Sequence, residues 1–113
     1  MKKIEAIIRP SKLKAVQKAL KEEGIPCITV IPVKGTGLQK GYSERYRGTE
    51  QSMILHNRTM IICVVSNDNR DKCIDIILEN ASDNRLGDGK IFVYDVEEAV
   101  RISSRVRGND AII

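Results

Sequence analysis

The 113-residue sequence has few large aromatic side chains and few residues that bind metals. Tryptophan is absent, and phenylalanine and histidine occur once each, as Phe92 and His56. A core without large aromatics has to be built from Ile, Val, Leu and Met, and Ile dominates here. Because a lone histidine with no ligand cluster around it cannot complete a tetrahedral site, we expect no zinc site.

Cysteine is also scarce, and its spacing matches no metal or redox motif. Cys27, Cys63 and Cys73 are odd in number, contain no Cys-x-x-Cys pair and all lie within apolar stretches. This pattern predicts three buried, reduced thiols in a cytosolic protein.

The sequence lacks the features of membrane proteins, secreted proteins and common enzymes. No apolar run is long enough to span a bilayer, and the first residues contain no signal-peptide core. We therefore expect a cytoplasmic protein without direct membrane insertion. There is no second histidine, no serine beside a plausible base and no convergent pair of carboxylates, so we expect no enzymatic activity.

Hydrophobic periodicity predicts four strands and two helices. Ser11 is the expected N-cap of the first helix, with Gly24 as its left-handed C-cap, and Asn67 or Asp68 is expected to cap the second. Pro32 predicts either an edge position for the second strand or a bulge within it. The expected second-helix core residues are Ile74, Ile77, Leu78 and Ala81. The predicted strands are Lys3–Arg9, Cys27–Lys34, Thr59–Val65 and Ile91–Val96, followed by a helical turn at Glu97–Val100 and an irregular segment at about 101–113.

This order predicts one α+β domain over residues 1–113 with a ferredoxin-like βαββαβ sandwich. Four antiparallel strands would form one sheet with two helices on one face, and a long loop at about 36–57 would join the second and third strands. Thr59–Val65 is apolar at every position after the threonine, which is typical of a strand buried on both faces. We therefore expect the second sheet face to meet another subunit in a closed homo-oligomer.

Two basic or glycine-rich segments are candidate anion sites, each with a simpler alternative. In Gly87-Asp88-Gly89-Lys90, two glycines allow a turn that aims backbone N–H groups at an anion, although it could equally be an ordinary turn. Three arginines near the C-terminus could clamp phosphates or form an exposed basic tail. They are Arg101, Arg105 and Arg107.

The net charge of +4 favours anionic partners, or only keeps a small domain soluble. Nucleic-acid binding is a weaker alternative. Ferredoxin-like sheets that bind nucleic acid often stack bases on aromatic side chains, and this chain has few of them. Only Phe92 and Tyr94 alternate on a predicted strand. We therefore do not expect a nucleic-acid partner.

The chain resembles the PII signal-transduction proteins, which regulate nitrogen metabolism, over nearly its whole length. The matching segments are Met1–Pro10, Lys34–Gly41, Tyr46–Gly48, Gly87–Val93 and Val96–Ile102. The resemblance implies a homotrimer that binds ATP or ADP between subunits, with Mg²⁺ and 2-oxoglutarate joining ATP. It also implies that the long loop docks on an ammonium transporter or on an enzyme or regulator of nitrogen metabolism.

The resemblance assigns roles to individual residues. Gln39 is the expected neighbour of nucleotide-bound Mg²⁺, and Tyr46, Arg47 and Gly48 at the loop tip are expected to contact the partner. The expected 2-oxoglutarate contacts are Gln39, Lys40, Gly41 and Arg58. The expected nucleotide contacts are Thr29, Gly35, Gly37, Gln39, Val64, Gly87, Asp88, Gly89, Lys90 and Arg101.

Several positions depart from the family pattern, among them Thr36 and the segment Asp83-Asn84-Arg85. Gln51 replaces the tyrosine that many members modify, so we expect no such modification, and Thr49 stands where some members carry a phosphorylated serine. Arg58 replaces a lysine that pairs with 2-oxoglutarate. Leu38 and Ser103 replace arginines near the phosphates, which suggests a divergent ADP or AMP sensor without a 2-oxoglutarate response as an alternative.

Overall fold

The computed structural model describes residues 1–37 and 54–113 of the chain. The described elements confirm the predicted βαββαβ order, with short 3-10 helices at Pro10–Lys12, Asn67–Asn69 and Gly108–Ile112. The main elements are β1 (Lys2–Ile8), α1 (Leu13–Glu22), β2 (Thr29–Gly35), β3 (His56–Val65), α2 (Arg70–Ala81) and β4 (Lys90–Asp95). In this part of the chain, no helix combines the length and the apolar composition that a membrane crossing requires.

The strands form one antiparallel sheet in the order β2-β3-β1-β4. Pro32 lies in β2 at one edge of this sheet, as predicted. Edge strands tolerate proline because one of their sides has no partner strand to hydrogen-bond. The start of β4 pairs with the end of β1, because Lys90 lies opposite Ile7. The turn before β4 is therefore held beside the residues that follow β1.

Both helices pack on one face of the sheet, and the core lies between them and the two central strands. Ile4, Ala6 and Ile8 of β1 are almost completely buried, as their period of two predicts. The fully buried residues of the helices are Val16, Leu20, Cys73 and Ile77. On the other sheet face, Met60, Ile62 and Val64 of β3 are only half-buried within one chain.

The C-terminal end of α1 matches the prediction, whereas the predicted N-caps are wrong. Gly24 has a φ of 86°, and Ile25 donates its N–H to the Leu20 carbonyl over 2.8 Å, which satisfies the helix end. Ser11 caps nothing, because Pro10 opens a 3-10 turn that contains it. Neither Asn67 nor Asp68 caps α2 through its side chain.

Three further predictions are corrected by the structure. Cys27 is exposed, since it precedes an edge strand that no helix covers. Leu78 is 52% exposed, because the buried stripe of α2 follows Cys73, Ile77 and Ala81. Glu97–Val100 forms no helical turn, and Val100 instead bridges to Arg107.

Two segment boundaries also differ from those expected. β3 begins at His56, so the loop predicted at about 36–57 ends earlier. The segment 101–113 is more regular than predicted, because Gly108–Ile112 forms a 3-10 helix.

Candidate functional site

The turn between α2 and β4 is a tight structure that only glycine allows at two positions. Gly87 and Gly89 have φ values of 93° and 105°, in the region that L side chains rarely adopt. Gly89 also lies directly against β1. A Cβ there would lie 2.8 Å from the carbonyl carbon of Ile7 and still nearer to its oxygen. The backbone of this turn is therefore fixed in place beside the end of β1.

The carboxylate of Asp88 organises the turn from inside. Its Oδ2 accepts hydrogen bonds from the backbone N–H groups of Asp83 (3.0 Å) and Arg85 (3.1 Å) and from the Ser82 hydroxyl (3.1 Å). Its Oδ1 accepts one from Arg9. This carboxylate holds the turn together, and the nucleotide contact predicted for Asp88 stays a prediction.

These contacts determine the acidity of Asp88. Partial burial acts to raise its pKa, but the hydrogen bonds from Arg85, Arg9, Asp83 and Ser82 outweigh burial. The pKa of Asp88 therefore lies well below its ordinary value. The group stays charged at any pH near neutrality.

Arg9 is a residue of this site that sequence reasoning missed. Its guanidinium pairs with Asp88, lies 3.5 Å from Asp83 and donates to the Leu86 carbonyl over 2.9 Å. Lys12 adds a second contact to Asp83, at 2.7 Å. The strand register could have revealed this, because continuing the pairing of Ile7 with Lys90 by two residues brings Arg9 opposite Asp88.

We expect the substitution Asp88→Asn to lower the melting temperature in a pH-dependent way. An amide cannot accept four hydrogen bonds and presents an N–H₂ group to donors, so the turn loses its fixed geometry. Because the folded-state pKa is depressed, the stabilisation is fully present above the unfolded pKa of about 3.9 and is lost as pH falls through the folded pKa. The difference in melting temperature between wild type and variant should be constant above about pH 5 and narrow below about pH 4.

The matched control for this experiment is Asp75→Asn on the exposed side of α2. Both variants lose one negative charge, so general charge effects cancel in the comparison. Thermal denaturation followed by circular dichroism from pH 2 to pH 7 gives the two profiles. A difference between Asp88→Asn and wild type that does not change with pH would contradict the role given to the carboxylate.

The structure divides the predicted nucleotide residues between two clefts at opposite edges of the sheet. The α2–β4 cleft, of about 440 Å³, is lined by the turn residues Asp88, Gly89 and Lys90, together with apolar residues of α2 and β4. The β2 cleft, of about 590 Å³, includes Thr29, Val64 and Arg101 in its lining. Two intervening strands separate these edges, which corresponds to roughly 14 Å at the usual strand spacing.

Arg101 lies at the β2 cleft and contacts the C-terminal segment. Its guanidinium donates to the Asp110 carbonyl over 3.0 Å and to the carbonyl of Ile113. Arg105 has a φ of 64°, and its N–H donates to the Arg101 carbonyl over 2.7 Å. Arg101 and the last three residues, 111–113, therefore form one wall of this cleft.

The other predicted site residues are partly outside the described residues. Gly35 ends β2 and Gly37 follows it, both at the sheet end where the turn before β4 lies. Arg58 lies on β3 and donates to the Asn57 carbonyl over 2.8 Å. The predicted residues that lie outside the described ranges are Leu38, Gln39, Lys40, Gly41, Tyr46, Arg47, Gly48, Thr49 and Gln51.

Comparison with known proteins gives consistent matches over the whole chain. The family model for nitrogen regulatory protein P-II matches residues 1–106. Proteins named nitrogen regulatory protein P-II from Pasteurella multocida and Rhodospirillum rubrum are 46% and 48% identical, over 99% of this chain and 100% of theirs. A crystal structure of Arabidopsis thaliana PII bound to citrate is 31% identical, with a TM-score of 0.80, and the match covers 98% of this chain and 88% of that one.

Proposed function

The chain belongs to the nitrogen regulatory protein P-II family, and on that premise we propose that it binds ATP or ADP in clefts between the subunits of a homotrimer. Members of this family are regulatory proteins and not enzymes. In this proposal the protein is a cytoplasmic sensor of nucleotide. Bound nucleotide would change the conformation of the long loop, and the loop would regulate an ammonium transporter or an enzyme or regulator of nitrogen metabolism.

The observation that carries this proposal is the separation of the predicted contacts between two edges of one sheet. Thr29 lines the cleft at the β2 edge and Lys90 lines the cleft at the β4 edge of the same chain, with two strands between them. If the β2 edge of one copy lies beside the β4 edge of the next, the two clefts become halves of one site. Repeating that heterologous contact closes a ring.

The exposed apolar side chains on the sheet face opposite the helices support the same assembly. Ile31, Phe92 and Tyr94 are 39%, 43% and 46% exposed in the single chain. They share that face with the half-buried Met60 and Ile62 of β3, as the strand register shows. An apolar sheet face of this kind is typical of a subunit interface.

The residues of the two half-sites suggest complementary roles. Around the turn, Lys90 would offer a cation to phosphates, and the fixed backbone of Gly87 and Gly89 would allow their close approach. Thr29 and Val64 would form a wall beside the adenine ring, and Arg101 would add a guanidinium. Mg²⁺ would arrive bound to ATP, next to the predicted neighbour Gln39, which lies outside the described residues.

Charge at the site favours a reduced preference for ATP and a weak response to 2-oxoglutarate. Leu38 and Ser103 stand where the family pattern has arginines, and the most highly charged nucleotide loses most from missing cations. Arg58 already donates to the Asn57 carbonyl, and its planar fork is aimed differently from a lysine ammonium. The citrate-bound Arabidopsis relative is a PII protein seen with a carboxylate ligand.

Calorimetric titration with ATP, ADP and AMP, each with and without Mg²⁺ and 2-oxoglutarate, tests the proposal. We expect saturable binding and a ratio between the ATP and ADP dissociation constants of less than about tenfold, which is about 1.4 kcal/mol. Adding 2-oxoglutarate should change the affinity for Mg-ATP by less than about threefold.

Two results would contradict different parts of the proposal. Strong mutual enhancement of Mg-ATP and 2-oxoglutarate would reject the weakened response but keep the nucleotide site. Absence of binding by any nucleotide to a trimeric protein would reject the nucleotide site itself. Sedimentation of the same sample gives the oligomeric state independently.

A further inference from the structure

Two thiols face each other in the core between β3 and α2. The Sγ atoms of Cys63 and Cys73 are 3.5 Å apart, and the two residues are 3% and 0% exposed. The S–S distance in a disulfide is about 2.05 Å, so the sulfurs need to approach by about 1.5 Å. This is within the range of a rotation about the side-chain bonds.

We propose that Cys63 and Cys73 are a reversible oxidation site, at which hydrogen peroxide converts the thiol pair into a disulfide that joins β3 to α2. No nucleotide takes part, so the proposal is independent of the function given above. The sequence predicts only buried, reduced thiols at these two positions.

The reaction needs two steps and one peroxide molecule. In the first, the sulfur of Cys63 attacks one peroxide oxygen, the O–O bond breaks, and the departing hydroxide takes the thiol proton and leaves as water. In the second, the sulfur of Cys73 attacks the resulting sulfenic sulfur, and the S–O bond breaks. The second water leaves with the proton of Cys73, and two electrons have passed from the sulfur pair to peroxide.

The environment of the pair favours Cys63 as the attacking thiol. The hydrogen bond with Cys73 lowers the pKa of Cys63 and outweighs burial, which acts to raise it. The same hydrogen bond and burial raise the pKa of Cys73. Cys63 is also one of the residues that line the β2 cleft and is 3% exposed, whereas Cys73 is completely buried.

A disulfide between Cys63 and Cys73 would also affect the β2 cleft. Cys63 lies on β3 between Ile62 and Val64, and both of these residues line the β2 cleft. Joining the strand to α2 would restrict the movement of that wall. The oxidation state of the pair is therefore coupled to the rigidity of the cleft.

The test uses the variant Cys27→Ser, which removes the exposed thiol and leaves only the pair. The folded protein is treated with hydrogen peroxide and then denatured and alkylated with iodoacetamide. Mass spectrometry of the intact protein gives the change in mass. We expect the loss of two hydrogens, no alkylation, and full return of both alkylatable thiols after dithiothreitol. The oxidised protein should also melt several degrees higher than the reduced protein, because the cross-link restricts the unfolded chain.

Single-thiol variants provide the matched controls. Cys27→Ser combined with Cys63→Ala or with Cys73→Ala leaves one thiol, which can gain oxygen but cannot lose two hydrogens. If the Cys27→Ser protein gains oxygen atoms, or remains fully alkylatable after peroxide while folded, the proposal is wrong. This outcome is decided by the Cys27→Ser protein alone, so it does not depend on the folding of the alanine variants.

Discussion

Gly89→Ala should destabilise the protein by about 3 kcal/mol or more, a large fraction of the roughly 5–15 kcal/mol by which most domains are stable. Two costs add at this position. The backbone φ of 105° is unfavourable for any L side chain, and the new Cβ would overlap the carbonyl group of Ile7. The overlapping atoms belong to the backbone of a central strand, which cannot move without breaking the sheet. Urea denaturation followed by circular dichroism gives the free energy of unfolding.

Gly24→Ala is the matched control for this substitution. Gly24 has a similar φ of 86°, but a Cβ there would meet no atom within 4 Å. It should cost only the backbone term, about 1 kcal/mol. Equal costs for the two substitutions would show that the close approach of the turn to β1 does not determine stability.

Sequence periodicity predicted the sheet, the helices and the edge position of Pro32 because each depends on local patterning against one core. The errors occur where neighbouring residues or elements determine the capping or the burial of a side chain. Ser11 has the chemistry of an N-cap, but Pro10 before it starts a 3-10 turn with its fixed φ. Cys27 lies in an apolar stretch, yet it is exposed where it precedes the edge strand β2. Leu78 has helical spacing, but it faces the open α2–β4 cleft.

The candidate site shows the same division between local and distant information. The glycine pattern of Gly87–Lys90 is local, and the resemblance identified it. The ion pairs of Arg9 with Asp88 and Asp83 join residues more than seventy positions apart, and they depend on the register of β1 against β4. The predicted nucleotide contacts are likewise divided between the β2 and β4 edges because of the strand order. Local sequence patterns do not determine that order.

Lys90→Gln should weaken the proposed binding of ATP and ADP by about ten- to hundredfold. Lys90 is exposed, begins β4 directly after the turn and lines the α2–β4 cleft. Removing a charged donor from a phosphate contact costs about 1.5–3 kcal/mol, and every 1.4 kcal/mol corresponds to a tenfold change in affinity. Glutamine keeps a donor group on a side chain that is one atom shorter, so the variant removes mainly the charge. Calorimetric titration of the variant and the wild-type protein with each nucleotide measures the loss.

The dependence on the number of phosphates distinguishes a direct contact from a general charge effect. Loss of affinity should be greatest for ATP, smaller for ADP and negligible for adenosine, because adenosine has no phosphate to meet Lys90. Lys18→Gln on α1 changes the net charge equally. The Lys18 side chain is 78% exposed, so nucleotide affinity should change by less than about twofold. If Lys18→Gln and Lys90→Gln weaken ATP binding equally, Lys90 contributes only to the overall field of the protein and the turn is not the phosphate site.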